Sequence, residues 1–246
     1  MTKTLFLIFG IVFVFSLGAA GGMWAQAFLL PYVVSYPAFQ GMQFVKDWAK
    51  HTTVIREVRE IIISKEEAVA GAVEKGEKST VGIASTNGVN TVYGSGLIIT
   101  ADGFIITIAD AIPAGYKTTV YVREGEESVA AQLLKRDAAK NLAIVKIERQ
   151  NLSPVAFARQ NSWSIGDVVV MVAKAVEAND LVTIAQEGTV RTKDADMIRT
   201  NIFDKQTLQG SPLFNLEGQV VGLNTFEEGG RLVAIPVSVL RDFSGF

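Results

Sequence analysis

An all-β domain, preceded by an N-terminal transmembrane helix and a short helical linker, is the architecture this sequence predicts, and three observations predict it. From about Ser79 onward the chain breaks into short β-branched runs separated by turn residues, the pattern of a barrel or sandwich rather than of a parallel α/β sheet. From Thr4 to Val45 it carries no charged residue, a run longer than the roughly 20 apolar residues that cross a bilayer. Between the two lies a polar stretch with helical periodicity. The chain divides accordingly into an anchor with its interfacial segment (residues 1–45), a linker or stalk (46–78) and the β domain (79–246).

The N-terminal run "TLFLIFGIVFVFSLGAAGGMWAQAFLLPYVV" also exceeds the apolar core of a signal peptide, about 7–15 residues. An uncleaved anchor is therefore the expectation. Cleavage after Ala25-Gln26-Ala27 and a hydrophobic hairpin packed on the domain are the alternatives. Tyr32, Tyr36, Phe39, Phe44 and Trp48 suit the water interface, and Pro31 and Pro37 stop a single helix from running on. Lys3 lies on one side of the run; Lys46, Lys50, Arg56 and Arg59 lie on the other, offset by Asp47, Glu57 and Glu60. Charge counting alone leaves the orientation open.

In "VIREVREIIISKEEAVAGAVEKGEK" the residues Ile55, Val58 and Ile62 recur at helical spacing, which suits a short stalk and equally a solvated linker. Glu66 to Lys75 reads as one more helix leading into the domain. Then come the strand-length runs: "TVGIAS", "TVYGSGLIIT", "FIITIADA", "TTVYVRE", "VAAQLLKRD", "LAIVKIE", "DVVVMVA", "VTIAQEGTVRT", "QVVGLNTFE" and "RLVAIPV". Turns fall at Asp102-Gly103, Glu124-Gly125, Glu217-Gly218 and Gly229-Gly230. Gly94 and Gly96 sit inside a strand pattern, where glycine marks a bulge or a close backbone approach. No helix follows them, so they are not a dinucleotide loop.

Composition narrows the chemistry. The formal net charge is -2, so no field draws the chain to nucleic acid. There is no cysteine, which excludes disulfides, thiolate nucleophiles and cysteine-ligated zinc. The single histidine, His51, precedes the β domain. No imidazole is then available inside it as a general base or metal ligand, and neither a metal site nor a cofactor is expected.

Five stretches, "GSGLIITADGFIITIADAI", "RDAAKNLAIVKIE", "IGDVVVMVAKA", "TNIFDKQTLQGSPLFNLEGQVVGLNT" and "VAIPVSVL", resemble in order and spacing the protease domain of the HtrA/Deg type of trypsin-like serine proteases, from about Glu66 to Leu240. The resemblance implies a chymotrypsin-type double β-barrel with a cleft between two six-stranded barrels. It also implies an extracytoplasmic domain on a single-pass anchor in the cytoplasmic (inner) membrane, with the N-terminus inside, and it makes a homotrimer an expectation. The PDZ domain that many members carry after "VAIPVSVL" is not expected.

The same resemblance places the family's catalytic histidine at Asp110, its orienting acid at Asn141 and its nucleophilic serine at Gln209, so all three triad positions are substituted. A serine nucleophile needs a partner titrating near neutrality, and an unperturbed aspartate titrates near pH 3.9. Asn141 cannot stabilise an imidazolium, and the amide of Gln209 is no nucleophile. Thr207 stands where the family has an oxyanion-hole glycine, and a β-branched residue restricts the backbone there. Ser211, with Lys205 and Asp204 nearby, is a conceivable replacement dyad, although it matches a family glycine turned away from the catalytic position. Ser95 reads as a structural serine. Asp110 with a second carboxylate would suit glycosidase chemistry, but alone it reads as a tolerated polar residue. Arg136-Asp137 and Lys146 read as solvated faces or surface pairs. Phe157, Trp163 and Phe203 are expected in the core or lining the cleft. Ile202 and Phe203 fall on the family's substrate-pocket wall, where their bulk suggests a partly filled pocket.

The expectation is a membrane-anchored pseudoprotease without catalytic residues, recognising an extended peptide or protein segment through Asp110, Ile202, Phe203 and Gln209. The alternatives are a structural subunit of a membrane assembly held by the stalk, and a serine endopeptidase with a non-standard site.

Overall fold

The computed structural model describes residues 2–25, 28, 64–159, 163–177, 180–194, 197–203, 208–227 and 231–245. His51, the interfacial aromatics, Ala27 and the stalk residues Ile55, Val58 and Ile62 lie outside the described residues, as does Thr207. The chain separates into two compact units, Met1–Ile61 and Ile62–Phe246. The first contains helix α1 (Thr2–Trp24), on which Val12, Phe13, Val14, Phe15 and Leu17 are exposed. Counting only described residues, no helix is long and apolar enough to cross a membrane.

The second unit opens with α2 (Lys65–Ser79). Ser64 starts it with a reciprocal cap: its hydroxyl accepts from Glu67 N, and its own amide donates to the Glu67 carboxylate, both at 3.2 Å. Two orphan amides of the first turn are thereby satisfied. The Thr80 hydroxyl donates to Gly76 O at 2.7 Å and closes the far end. The helix is longer than the Glu66–Lys75 span expected from periodicity. Its apolar face, Val69, Ala72 and Val73, packs with Val172 and Phe214 in one buried cluster.

Twelve strands follow. The first six are β1 (Thr80–Thr86), β2 (Thr91–Ile98), β3 (Phe104–Thr107), β4 (Lys117–Tyr121), β5 (Val129–Asp137) and β6 (Leu142–Ile147). The second six are β7 (Val168–Glu177), β8 (Asp180–Lys193), β9 (Ile198–Thr200), β10 (Pro212–Asn215), β11 (Val220–Phe226) and β12 (Leu232–Pro236). Each set closes into an antiparallel barrel, ordered β1-β2-β3-β6-β5-β4 and β7-β8-β9-β12-β11-β10, so the two barrels share one topology. Closure leaves no sheet edge open. Helix α3 (Val237–Ser244) ends the fold with Leu240 and Phe243 buried.

Several strands are buried on both faces, β1, β7, β11 and β12 among them: in β7, Val169 and Met171 belong to the second barrel's core, while Val170 and Val172 join the cluster between the barrels. Val81, Ile83, Ile98, Ile105 and Val120 fill the first barrel; Met171, Val190, Ile198, Leu213 and Val221 fill the second. A third cluster joins Leu97, Ile106, Ile108, Ala111 and Leu142 of the first barrel to Val170, Val172, Phe214 and Leu223 of the second. Ile108, Ala111 and Leu142 are chain neighbours of Asp110 and Asn141, so the candidate site is carried on the seam between the barrels.

Candidate functional site

Asp110 sits on a 3-10 turn (Ala109–Ala111) just after β3. Asn141 ends the turn between β5 and β6 in the left-handed region, φ 51°, which asparagine tolerates better than most residues. Asn141 Nδ2 donates to Asp110 Oδ2 at 2.8 Å and to Thr225 Oγ1 at 3.1 Å, while its Oδ1 accepts from Asp110 N at 3.1 Å. The carboxamide therefore uses both hydrogens and its oxygen, which fixes its orientation. Thr225 belongs to β11, so this network also ties the two barrels together. The Asp110 side chain lies exposed at its edge.

Arg136 and Asp137, read from the sequence as solvated faces or surface pairs, brace this half of the site. Asp137 Oδ1 accepts from Ala139 N and Lys140 N, both at 3.0 Å, an Asx turn that shapes the approach to Asn141. Arg136 donates through Nε to Ile112 O at 3.1 Å and through Nη2 to Ala109 O at 3.3 Å, holding the turn that carries Asp110. Arg136 is exposed and Asp137 half-buried, so both lie on the surface while also holding main-chain groups. The signal available in the sequence was an Asp four positions before an Asn in a polar turn. Lys146 is likewise engaged, donating to the carbonyls of Asp102 and Ile147.

Gln209 comes from the second barrel, in the turn before β10. Its carbonyl accepts from Ser95 N at 2.8 Å, and its Nε2 donates to Tyr93 O at 3.3 Å. The approach is close enough that glycine is required on both sides. A Cβ on Gly94 would lie 2.9 Å from Gln209 O and 3.0 Å from Ala111 Cβ. Gly210 has φ 80°, and a Cβ there would overlap the Ser95 carbonyl and lie 2.6 Å from Thr107 Oγ1. Gln209 and the turn bearing Asp110 thus flank the same glycine, although no hydrogen bond joins Gln209 to Asp110 or Asn141.

Ser211 is fully buried, and its Oγ accepts from Asn224 Nδ2 at 3.1 Å. Ser95 is structural: its hydroxyl donates to Lys174 O at 3.1 Å and accepts from Lys174 N at 3.0 Å. Lys174 crosses the seam, with Nζ donating to Val122 O at 2.7 Å. At 5% exposure, burial disfavours its charge and lowers its pKa to about 8. Ile202 and Phe203 part company. Ile202 is buried with the second core, whereas Phe203 is 75% exposed, against the expectation of core packing that Trp163 meets. What the site offers a ligand is a carboxylate that accepts hydrogen bonds, a carboxamide that donates and accepts, and an exposed aromatic ring nearby in the chain.

Residues 94–223, just over half of the chain, match the family model described as "Trypsin-like peptidase domain". A "Probable periplasmic serine endoprotease DegP-like" of Rhizobium meliloti (strain 1021) is 33% identical over 162 residues, covering 61% of this chain and 32% of that protein. "Serine protease HTRA1" of Xenopus laevis is 31% identical over 166 residues, covering 63% of this chain and 36% of its own. The matched region thus spans about a third of these relatives. Among solved structures, the serine endoprotease from Yersinia pestis superposes with a TM-score of 0.64 at 24% identity, over 72% of this chain and 65% of that one. Deg5 superposes with the same TM-score, 0.64, at 20% identity, over 73% and 93% of the two chains.

Proposed function

Because the chain belongs to the trypsin-like peptidase family, with HtrA- and DegP-type relatives, we propose that it is a member that has exchanged peptide-bond cleavage for binding of an extended peptide or protein segment in the old cleft. The observation that carries this is the hydrogen-bonded pair of Asp110 and Asn141, at 2.8 Å. The pair keeps these two positions in contact while holding no imidazole to serve as general base. Gln209 supplies no nucleophile, and the buried, hydrogen-bonded hydroxyl of Ser211 argues against a replacement there. Asp110, Gln209 and Phe203 would meet the ligand; Ile202, buried, would anchor the chain that carries Phe203.

The same reading places the domain outside the cytoplasmic membrane on a single-pass anchor. The uncharged run from Thr4 to Val45 and the exposed apolar side chains of α1 support it. A second reading, a subunit of a membrane assembly and possible homotrimer, is favoured by Leu133 and Leu134, exposed side by side at a bulge in β5.

The test uses the full chain in neutral detergent, a displayed library of extended peptides, and the variant Gln209→Trp to block the cleft. Sequence-selective binding that Gln209→Trp removes, with no cleavage of casein by either form, is the expected result. Casein cleavage that Ser211→Ala abolishes would overturn it in favour of an unusual protease. Absence of peptide binding would move the weight to the assembly reading.

A further inference from the structure

On the outer face of the second barrel lies a groove of about 420 Å³, lined by Arg191, Thr192, Arg199, Thr200, Phe203 and Arg231. Its arginines come from three elements: β8, β9 and the hairpin between β11 and β12. A bulge in β8 explains how two consecutive residues reach it. Val190 pairs with Thr200 and Thr192 with Arg199, which leaves Arg191 as the extra residue. Strict alternation would send Arg191 and Thr192 to opposite faces, and the bulge re-aims them into one groove.

Charge is not balanced there. Arg199 pairs with Asp194 at 2.9 Å and with Glu227 at 3.2 Å, and Arg231 approaches Glu227 at 3.5 Å. Among the described residues two guanidinium groups thus share two carboxylates, and the third, that of Arg191, makes no ion pair. Guanidinium groups already paired with carboxylates show that the place accepts a carboxylate ligand. Beside them Phe203 presents a ring that is 75% exposed. Arginine and an aromatic side by side on a surface are the residue types enriched where proteins bind segments of others.

We propose that this groove is a second peptide site, taking a segment in which an acidic side chain meets Arg191 and an adjacent apolar side chain covers Phe203. A net charge of -2 gives no long-range pull toward nucleic acid, which favours a short acidic peptide over a polyphosphate chain. Arg191, Arg199 and Arg231 take no part in the Asp110, Asn141 and Gln209 network; Phe203 is common to both readings, so Arg191→Glu and Gln209→Trp are the variants that separate this site from the cleft.

The full chain in neutral detergent is titrated against a fluorescein-labelled peptide of alternating Glu and Phe, with Gln/Phe and Lys/Phe peptides of the same length beside it. The Glu/Phe peptide is expected to bind, more weakly as salt is raised, and the other two are not. Arg191→Glu, at an exposed position, weakens that binding at least about fivefold. Lys117→Glu makes the same charge change on the exposed face of the first barrel and leaves binding unchanged, as does the cleft block Gln209→Trp. Melting curves matching the parent's show that the variants are folded, and Phe203→Ala provides a second variant that should also weaken binding. Equal losses for Arg191→Glu and Lys117→Glu would reduce the effect to general electrostatics and overturn the proposal. So would loss on Gln209→Trp alone, which would assign the peptide to the cleft, or full displacement by millimolar inorganic phosphate, which would make it a simple anion site.

Discussion

In the first barrel the half-site is tied mostly by side chains, beside one main-chain bond from Ala109 N to Asn141 O at 3.1 Å: Asn141 reaches Asp110 and Thr225, Asp137 shapes one turn and Arg136 braces the other. In the second barrel the corresponding corner is tied by the main chain. Ser95 N donates to Gln209 O at 2.8 Å, Gly210 N to Asn224 O at 2.7 Å, and Asn224 N to Ser211 O at 2.8 Å. The topology is the same and the support is not. A corner held by backbone bonds should keep its shape when the Gln209 side chain is exchanged. A corner held by side chains keeps its shape only if the replacements still bond, and Asp110 with Asn141 do. Each barrel can be broken at its own kind of support.

The largest effect is expected at Gly210. Alanine there must adopt a left-handed conformation and push against the Ser95 carbonyl, a main-chain atom that cannot swing aside. Gly210→Ala should cost about 4 kcal/mol, read as a drop in urea midpoint at unchanged slope. A loss below about 1 kcal/mol would mean that the corner yields, and the claim of main-chain support would fall.

Next comes the seam that both corners share. Lys174 is charged in the unfolded chain up to its ordinary value of 10.5, but only up to about 8 when folded. Below about 8 the folded state carries the full penalty of a buried cation. Between about 8 and 10.5 the unfolded state binds more protons, so stability rises with pH across that window. The full rise is about 3 kcal/mol. Lys174→Met should flatten it, and an unchanged rise in that variant would assign the titration elsewhere.

In the first barrel, Asn141→Asp replaces the two donations from Nδ2 with a second carboxylate against Asp110. A loss of about 1–2 kcal/mol at neutral pH is expected. Two like charges raise one pKa, so the loss should shrink as the pH falls and one carboxyl takes up a proton. A loss that does not depend on pH would mean that the pair separates rather than repels.

What the sequence made legible follows from the length and local character of each signal. The strands with β-branched alternation were readable as strands. β9, only three residues long, was not, because it is too short to show a period. Helix α3 was missed for the same reason. The pairing of twelve strands into two barrels came through resemblance, since alternation says which face is buried but not which strand lies alongside. At the site, the assignment of Asp110, Asn141 and Gln209 to substituted triad positions rests on the resemblance; the bond between Asp110 and Asn141 comes from the structure alone. The bracing by Arg136 and Asp137 was not legible, because their partners are main-chain atoms brought in by folding. The split between Ile202 and Phe203 was hidden too, as adjacent apolar residues look alike until one side of the chain is covered.

The smallest expected effect is the sharpest test of the comparison. Gln209→Ser restores the family's residue type at the nucleophile position and removes only one bond, Nε2 to Tyr93 O at 3.3 Å, from a half-exposed side chain. If the main chain holds this corner, stability should stay within about 0.5 kcal/mol of the parent, by urea titration. The new hydroxyl would also find no imidazole, so casein should remain uncleaved. A cost above about 1 kcal/mol would show that the glutamine side chain supports its corner as Asn141 supports the other. The two barrels would then be held alike, and the exchange of serine for glutamine would have been structural in its effect as well as chemical.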